Sequence, residues 1–430
     1  MKRVQIIILF LLLFILLCPV IQQSSGLITS APLKGFFQLH PFPSLTSQSW
    51  ISGDFQRDIS VACNNRIGFR SDFVRVYNQV DFSLFSIPHA EKIIVGKKGY
   101  LLAEQYLDAK LGLDYVGESL IREKVKMFVT IQDELWRQKQ QLLLLVFPPD
   151  KGTFYPEYIP DRYLSRNQPK TNYLTYRKEL LEAGADFIDF NNYFLRLKDS
   201  SRYVLYPKTG IHWSTYGALL AADSLSGYIE SRMMVKLPLM VVDSIVVTDE
   251  LRSPDGDMAS TMNLIWEIPH PEMAYPVIHF DLGQDRKKVN ALVIGDSFYW
   301  NWYYSGYIKN TFNDEAFWYY NKEVYPEHFT QPTTIWDINR QEAITRADVI
   351  IILLVNAGYG NIGYGILEEL ATYLGMEEPR ITEVMARMRN SSEWMEAISE
   401  KALERNITVE EMMKIDARYM IDEQLKNSQR

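Results

Sequence analysis

Three short, almost unbroken apolar runs constrain this chain more than any other feature: residues 142–147, 291–294 and 347–355, the last interrupted only by Asp348. Each is far too short to cross a bilayer, and apolar runs without polar alternation read as strands buried on both faces. Between them lie stretches with helical spacing, at 118–139, 173–183 and 214–231. Strand, helix, strand at this spacing predicts an α/β fold, a mostly parallel sheet with helices on both faces. Ligands of such sheets gather at the C-terminal ends of the strands.

The second run leads directly into Gly295-Asp296-Ser297-Phe298. Gly295 permits a sharp turn, and the aromatic residues after Ser297 can continue as a helix. Ser297 is therefore a candidate nucleophile beside the first N–H groups of a helix, which can stabilise an oxyanion. The same residues also suit a plain turn in which Asp296 or Ser297 caps the helix.

A serine nucleophile needs an imidazole and a group that orients it. Of six histidines, His40, His89, His270, His279 and His328 lie near the linker, beside prolines, in a strand or in a polar loop. Only His212 stands in a dense local motif, Lys208-Thr-Gly-Ile-His-Trp-Ser-Thr-Tyr-Gly217, just before a helix. Its plain alternative is a residue that closes a helix start while Trp213 fills the core. Ser297 and His212 supply the first two members of the set, and chain order does not count against them.

The N-terminus carries Lys2 and Arg3 and then an apolar run over residues 4–21. This reads as an uncleaved signal anchor, with a cleavable signal peptide as alternative; the leading positive charge directs everything after about residue 25 out of the cytoplasm. Cys18 sits inside the run, where lipidation is a weaker option, and Cys63 is the only other cysteine. An intrachain disulfide in the mature chain and a thiolate zinc site are thus excluded, and no metal or cofactor is expected. A net charge of −8 and pI near 5.5 give no basic footprint, so nucleic acid is not an expected partner.

The expected organisation is an anchor or signal at 1–25, a linker and N-terminal helical region at 26–90 with helical spacing over 57–79, a sheet domain at 91–378, and a helical C-terminal region at 379–430. Thr408 and Glu411 form a capping-box pattern in the last of these.

The motifs also carry a resemblance. Gly295-Asp-Ser-Phe298 with His212-Trp213-Ser214, Gly96-Lys-Lys-Gly-Tyr-Leu-Leu102, the loop at 146–157 that includes Pro148-Pro-Asp-Lys151, and Gly256-Asp257-Met258 resemble, in order, the elements of the SGNH-hydrolase-like alginate O-acetyltransferase group, the AlgJ and AlgX type. The resemblance spans roughly residues 90–370. It implies an SGNH-hydrolase-like domain and an extracytoplasmic O-acetyltransferase that modifies a polysaccharide through an acyl-Ser297 intermediate. An integral-membrane acyltransferase would deliver the acetyl groups. The same residues would serve an acetylesterase, and a non-catalytic glycan-binding subunit is the third reading.

One departure matters. The family's His motif is Asp-x-His-Trp, and Gly210 stands where the Asp would be. His212 is then oriented by a backbone carbonyl or by a carboxylate from elsewhere, Asp257 being the candidate, or the site is impaired. Gly210→Asp is expected to leave activity intact or raise it. Asn356 is the candidate oxyanion side chain, with a turn-forming role as its alternative. Lys151, Trp213, Trp300 and Trp302 are candidate sugar contacts.

Overall fold

The computed structural model describes residues 2–35, 39–376 and 379–427. Its strands are β1 (Ile93–Val95), β2 (Leu101–Ala103), β3 (Leu142–Phe147), β4 (Phe187–Asp189), β5 (Leu239–Thr248), β6 (Met273–Asp281), β7 (Ala291–Gly295), β8 (Phe317–Tyr319), β9 (Glu323–Tyr325) and β10 (Val349–Leu353). Six of them form one sheet in the order β4-β3-β10-β7-β8-β9. All its pairings are parallel except the β8–β9 hairpin. The three apolar runs are its centre: β3, β10 and β7 lie side by side with every residue buried. The α/β class with a central sheet flanked by helices is as expected.

Helix Glu118–Lys139 has the span its periodicity indicates, burying Ile121, Val125, Phe128, Ile131 and Leu135 in the core shared with β3 and β10. Helix Thr215–Met233 starts at Ser214, whose hydroxyl accepts the Gly217 N–H at 3.0 Å. Strands β5 and β6 form a separate antiparallel ribbon with a bulge between Val242 and Ser244.

The chain divides into two compact units, one of residues 1–95 and 256–269 and the other of residues 96–255 and 270–430. Segment 256–269 groups with the N-terminal residues rather than with its chain neighbours. In the first unit Asn78 donates to the Met262 carbonyl at 2.8 Å, and Gln79 accepts from the Ile265 and Trp266 N–H groups. The single helix read over 57–79 is two helices, Asp54–Asn64 and Arg70–Phe85, broken where Phe69 turns left-handed at φ 57°. Helix Lys2–Ser25 carries one apolar span, Val4–Ser25. It is an N-terminal segment of the anchor or cleavable-signal kind, and the globular part is extracytoplasmic.

In the second unit, helices Pro379–Arg389, Ser392–Glu404 and Val409–Asn427 share a small core of Met385, Met388, Ile398, Met412 and Met413. The capping box forms there: Glu411 accepts the Thr408 N–H at 2.8 Å and returns its own N–H to the Thr408 hydroxyl at 3.2 Å.

Candidate active site

The site is built where β7 ends. Strand β10 passes so near Gly295 that a Cβ there would meet the Leu353 carbonyl oxygen at 2.6 Å. What this glycine supplies is room between strands, rather than the turn freedom expected of it. Asp296 then fastens the chain to the end of β10. Its Oδ1 accepts the Phe298 N–H at 3.0 Å and its Oδ2 the Val355 N–H at 2.7 Å. Burial raises its pKa to about 6, against the pull of these two N–H groups and of His212. Asp296 thus shapes the turn that presents Ser297, which is half-buried.

His212 reaches Ser297 from the loop before helix Thr215–Met233, and its Nε2 lies 2.8 Å from Ser297 Oγ. That loop is held from several sides. The Lys151 ammonium donates to the carbonyls of Lys208 at 2.8 Å and Gly210 at 2.7 Å. The Thr209 hydroxyl donates to the Asp255 carbonyl at 3.1 Å, and the Ser214 N–H to that of Leu205 at 2.8 Å. Trp213 locks the loop to the serine turn, its Nε1 donating to the Phe298 carbonyl at 3.2 Å and its own carbonyl accepting from Asn301 at 3.3 Å.

Three of the expected sugar contacts are therefore structural. Lys151 is fully buried and donates to two loop carbonyls. Trp213 and Trp302 are also fully buried, packed 5.2 Å apart, with the Trp302 indole N–H on the Ala218 carbonyl at 2.7 Å. Trp300 alone keeps partial exposure, among Tyr304, Tyr325 and Phe329.

The expectation for Gly210 also changes. A Cβ at this position would sit 2.7 Å from the Asp255 carbonyl oxygen and 2.8 Å from Pro207 Cγ. The space that an aspartate would need is occupied by the backbone of Asp255, so Gly210 is required by packing. Asp257 belongs to the other compact unit, where it opens the helix Asp257–Thr261 and its Oδ1 accepts the Met258 N–H at 2.7 Å.

Among the described residues, no backbone acceptor takes the Ser297 N–H. Asn356 follows the end of β10, buried, and its amide donates to the Thr153 hydroxyl at 2.9 Å. A primary amide has two N–H donors, so this bond leaves one. Thr153 is itself held by Asp150, whose Oδ1 accepts the Thr153 N–H at 2.7 Å. Asp150 is fully buried, and burial lifts its pKa to about 7.

Sequence reasoning missed Tyr320. Its phenol interacts with the Ser297 side chain, and burial together with nearby Asp296 raises its pKa. Tyr320 (φ 51°) and Asn321 (φ 53°) are the central residues of the turn closed by the Lys322 N–H on the Tyr319 carbonyl at 3.0 Å. Positive φ at both centres is what a tight hairpin turn of this hand requires, and Asn or Gly usually fills it. A tyrosine there costs on the order of 1 kcal/mol. Its aromatic run, 317–320, was visible in the sequence, but nothing in that run marks the left-handed backbone that turns Tyr320 towards Ser297.

No curated protein matches the chain. Among solved structures, the O-acetyltransferase domain of Pseudomonas putida AlgJ is 15% identical, covering 66% of this chain and 99% of that one, with a TM-score of 0.42. Pseudomonas aeruginosa AlgX is 14% identical over 64% of this chain and 67% of that one (TM-score 0.39), and Bacillus cereus PatB1 is 13% identical over 63% and 98% (TM-score 0.38). The family profile described as "SGNH hydrolase-like domain, acetyltransferase AlgX" matches residues 93–317, which include Lys151, His212, Asp257 and Ser297. That match covers more than half of the chain, which belongs to the AlgX-type family of SGNH hydrolase-like acetyltransferase domains.

Proposed function

We propose that this protein is an extracytoplasmic O-acetyltransferase that acts on a cell-surface or secreted polysaccharide through an acyl-Ser297 intermediate. The observation that carries the reading is the 2.8 Å approach of His212 Nε2 to Ser297 Oγ at the C-terminal end of β7. Nucleophilic acyl chemistry needs this contact, and a serine that merely caps a helix does not.

Neutral His212 takes the Ser297 proton as Oγ bonds to the acyl carbon of the donor. The Ser297 N–H, the second Asn356 N–H and the Tyr320 hydroxyl are the donors for the resulting oxyanion. The tetrahedral species collapses by breaking the bond to the donor's leaving oxygen, which receives the proton from His212. A sugar hydroxyl then gives its proton to the same imidazole and attacks the acyl-serine; the acyl–Oγ bond breaks, Oγ takes the proton back from His212, and the acetylated sugar leaves. Family membership and the extracytoplasmic placement support a polysaccharide acceptor and an integral-membrane acyltransferase as donor partner.

The partial exposure of Ser297 favours one second reading, an acetylesterase in which water attacks the acyl-enzyme. Incubating the enzyme with an activated acetyl ester and an oligosaccharide panel separates the two. Transfer predicts acetylated sugar at the expense of free acetate. Acetate release unaffected by every sugar would leave the esterase.

A further inference from the structure

Within the first compact unit, helix Arg70–Phe85 leaves one face uncovered. Phe73, Val76, Tyr77, Val80 and Leu84 recur on that face at helical spacing and are 47–69% exposed. The opposite face is fastened to its own unit. Asp72 accepts the Ser30 hydroxyl, Arg75 donates to the Pro32 carbonyl at 2.8 Å, and Asn78 and Gln79 hold segment 256–269. These bonds turn the apolar face outward. Asp81, at the edge of that face, is answered by His89, whose Nε2 lies 2.5 Å from its carboxylate.

The start of this helix lies at a defined depth. As a helix, the apolar run over residues 4–21 is about 27 Å long, close to the ~30 Å of a bilayer's hydrocarbon core, so Gln22 and Gln23 stand at its extracytoplasmic edge. Two contacts bring the helix start to that edge. The Phe69 N–H donates to Gln22 Oε1 at 3.2 Å, and Gly68 passes the end of the span so closely that a Cβ on it would meet the Pro19 carbonyl oxygen at 2.0 Å. Gln22 Nε2 donates to the Ile28 carbonyl at 2.6 Å, which ties the chain leaving the span to the same point. An apolar helix face that begins at headgroup depth suits a helix lying in the membrane interface, its aliphatic side chains in the acyl boundary and its aromatic rings among the headgroups. The helix charges cancel, Arg70 and Arg75 against Asp72 and Asp81, so the attraction is apolar rather than ionic.

We propose that helix Arg70–Phe85 lies along the extracytoplasmic surface of the membrane that the N-terminal helix spans, with Phe73, Val76, Val80 and Leu84 in the lipid. A single span leaves the unit attached to it free to swivel and tilt, and a second contact beside it removes that freedom. The helix lies outside residues 93–317, so this attachment belongs to the part of the chain beyond the family-matched region. The proposal rests on retention of the N-terminal helix as an anchor and is independent of the acyl chemistry at Ser297.

The test uses the full chain with Cys18→Ala and Cys63→Ser, reconstituted in phosphatidylcholine vesicles, with an environment-sensitive fluorophore on Val80→Cys or, separately, on Leu84→Cys. The expected result at both positions is blue-shifted emission, quenching by lipid that carries a nitroxide high on its acyl chain, and roughly fivefold less quenching by aqueous iodide than the free dye shows. High salt leaves these signals unchanged, since the contact is not ionic. Phe73→Asp/Val76→Asp raises iodide quenching of the Leu84→Cys label roughly threefold, with an unchanged melting temperature. Iodide quenching equal to that of the free dye would overturn the proposal. So would iodide protection without nitroxide quenching, which would mean that protein, a second copy or a partner, covers the face. A mature chain that begins after residue 25 would also overturn it, by removing the span that sets the depth. If the double variant unfolds, the nitroxide and iodide signals of the two single labels decide the matter.

Discussion

At Gly210 the backbone of Asp255 fills the place where a side chain would go, 2.7 Å from an ideal Cβ. Gly210→Ala should therefore cost about 1–3 kcal/mol by overpacking, and Gly210→Asp at least as much, with slower Ser297 acylation in both. Thermal melts and acylation rates check this; an active, fully stable Gly210→Asp would show that the Asp255 segment yields easily. Tyr320 carries the opposite signature, strain kept in place beside Ser297. Tyr320→Gly relieves the left-handed backbone and should hold or raise stability, whereas it and Tyr320→Phe should lower the acylation rate, by about 100-fold if the hydroxyl is an oxyanion donor. A Tyr320→Phe enzyme of normal rate would remove the hydroxyl from the mechanism. The pairing of Ser297 with His212 was legible in the sequence, since one serine followed a buried strand and one histidine stood in a dense motif. Tyr320 was not, because its placement depends on backbone dihedrals rather than on residue pattern. The burial of Lys151 was also hidden: a lysine in a Pro-rich loop reads as solvated until its carbonyl partners at Lys208 and Gly210 are seen.

At the scale of elements, the loop after β3 is stiffened by a buried acid. Asp150 caps the short helix Lys151–Phe154, and its Oδ2 has no partner among the described residues. Its pKa rises from 3.8 to about 7 on burial, which corresponds to something on the order of 4 kcal/mol. The folded state keeps this proton while the unfolded chain has released it, so the stability it contributes is full below about pH 4 and lost as pH rises through about 7. Asp150→Asn retains an N-cap oxygen and should flatten the stability curve over that window, leaving the variant more stable than wild type at pH 8. Denaturant titrations from pH 4 to 8 test this, and parallel curves for the two proteins would contradict it. Elements with a strong period were readable from sequence: helix Glu118–Lys139 and strand β3 fall where their patterns put them. The break at Phe69 was not, because the apolar spacing continues across it while one left-handed residue redirects the backbone.

At the scale of the molecule, alternating buried strands and amphipathic helices made the α/β sheet legible, and the leading apolar run made the extracytoplasmic placement legible. The membership of segment 256–269 in the N-terminal unit was not, since it rests on long-range bonds such as Asn78 to Met262. The proposed function depends on Ser297 accepting an acyl group from a donor with His212 as base. The direct measurement is peptide mass spectrometry of residues 27–430 after brief exposure to an activated acetyl ester, beside Ser297→Ala and His212→Ala. An added acetyl on Ser297, absent from Ser297→Ala and strongly reduced in His212→Ala, is the predicted result. Acetate release at the wild-type rate by both variants, with Ser297 unmodified, would contradict the account.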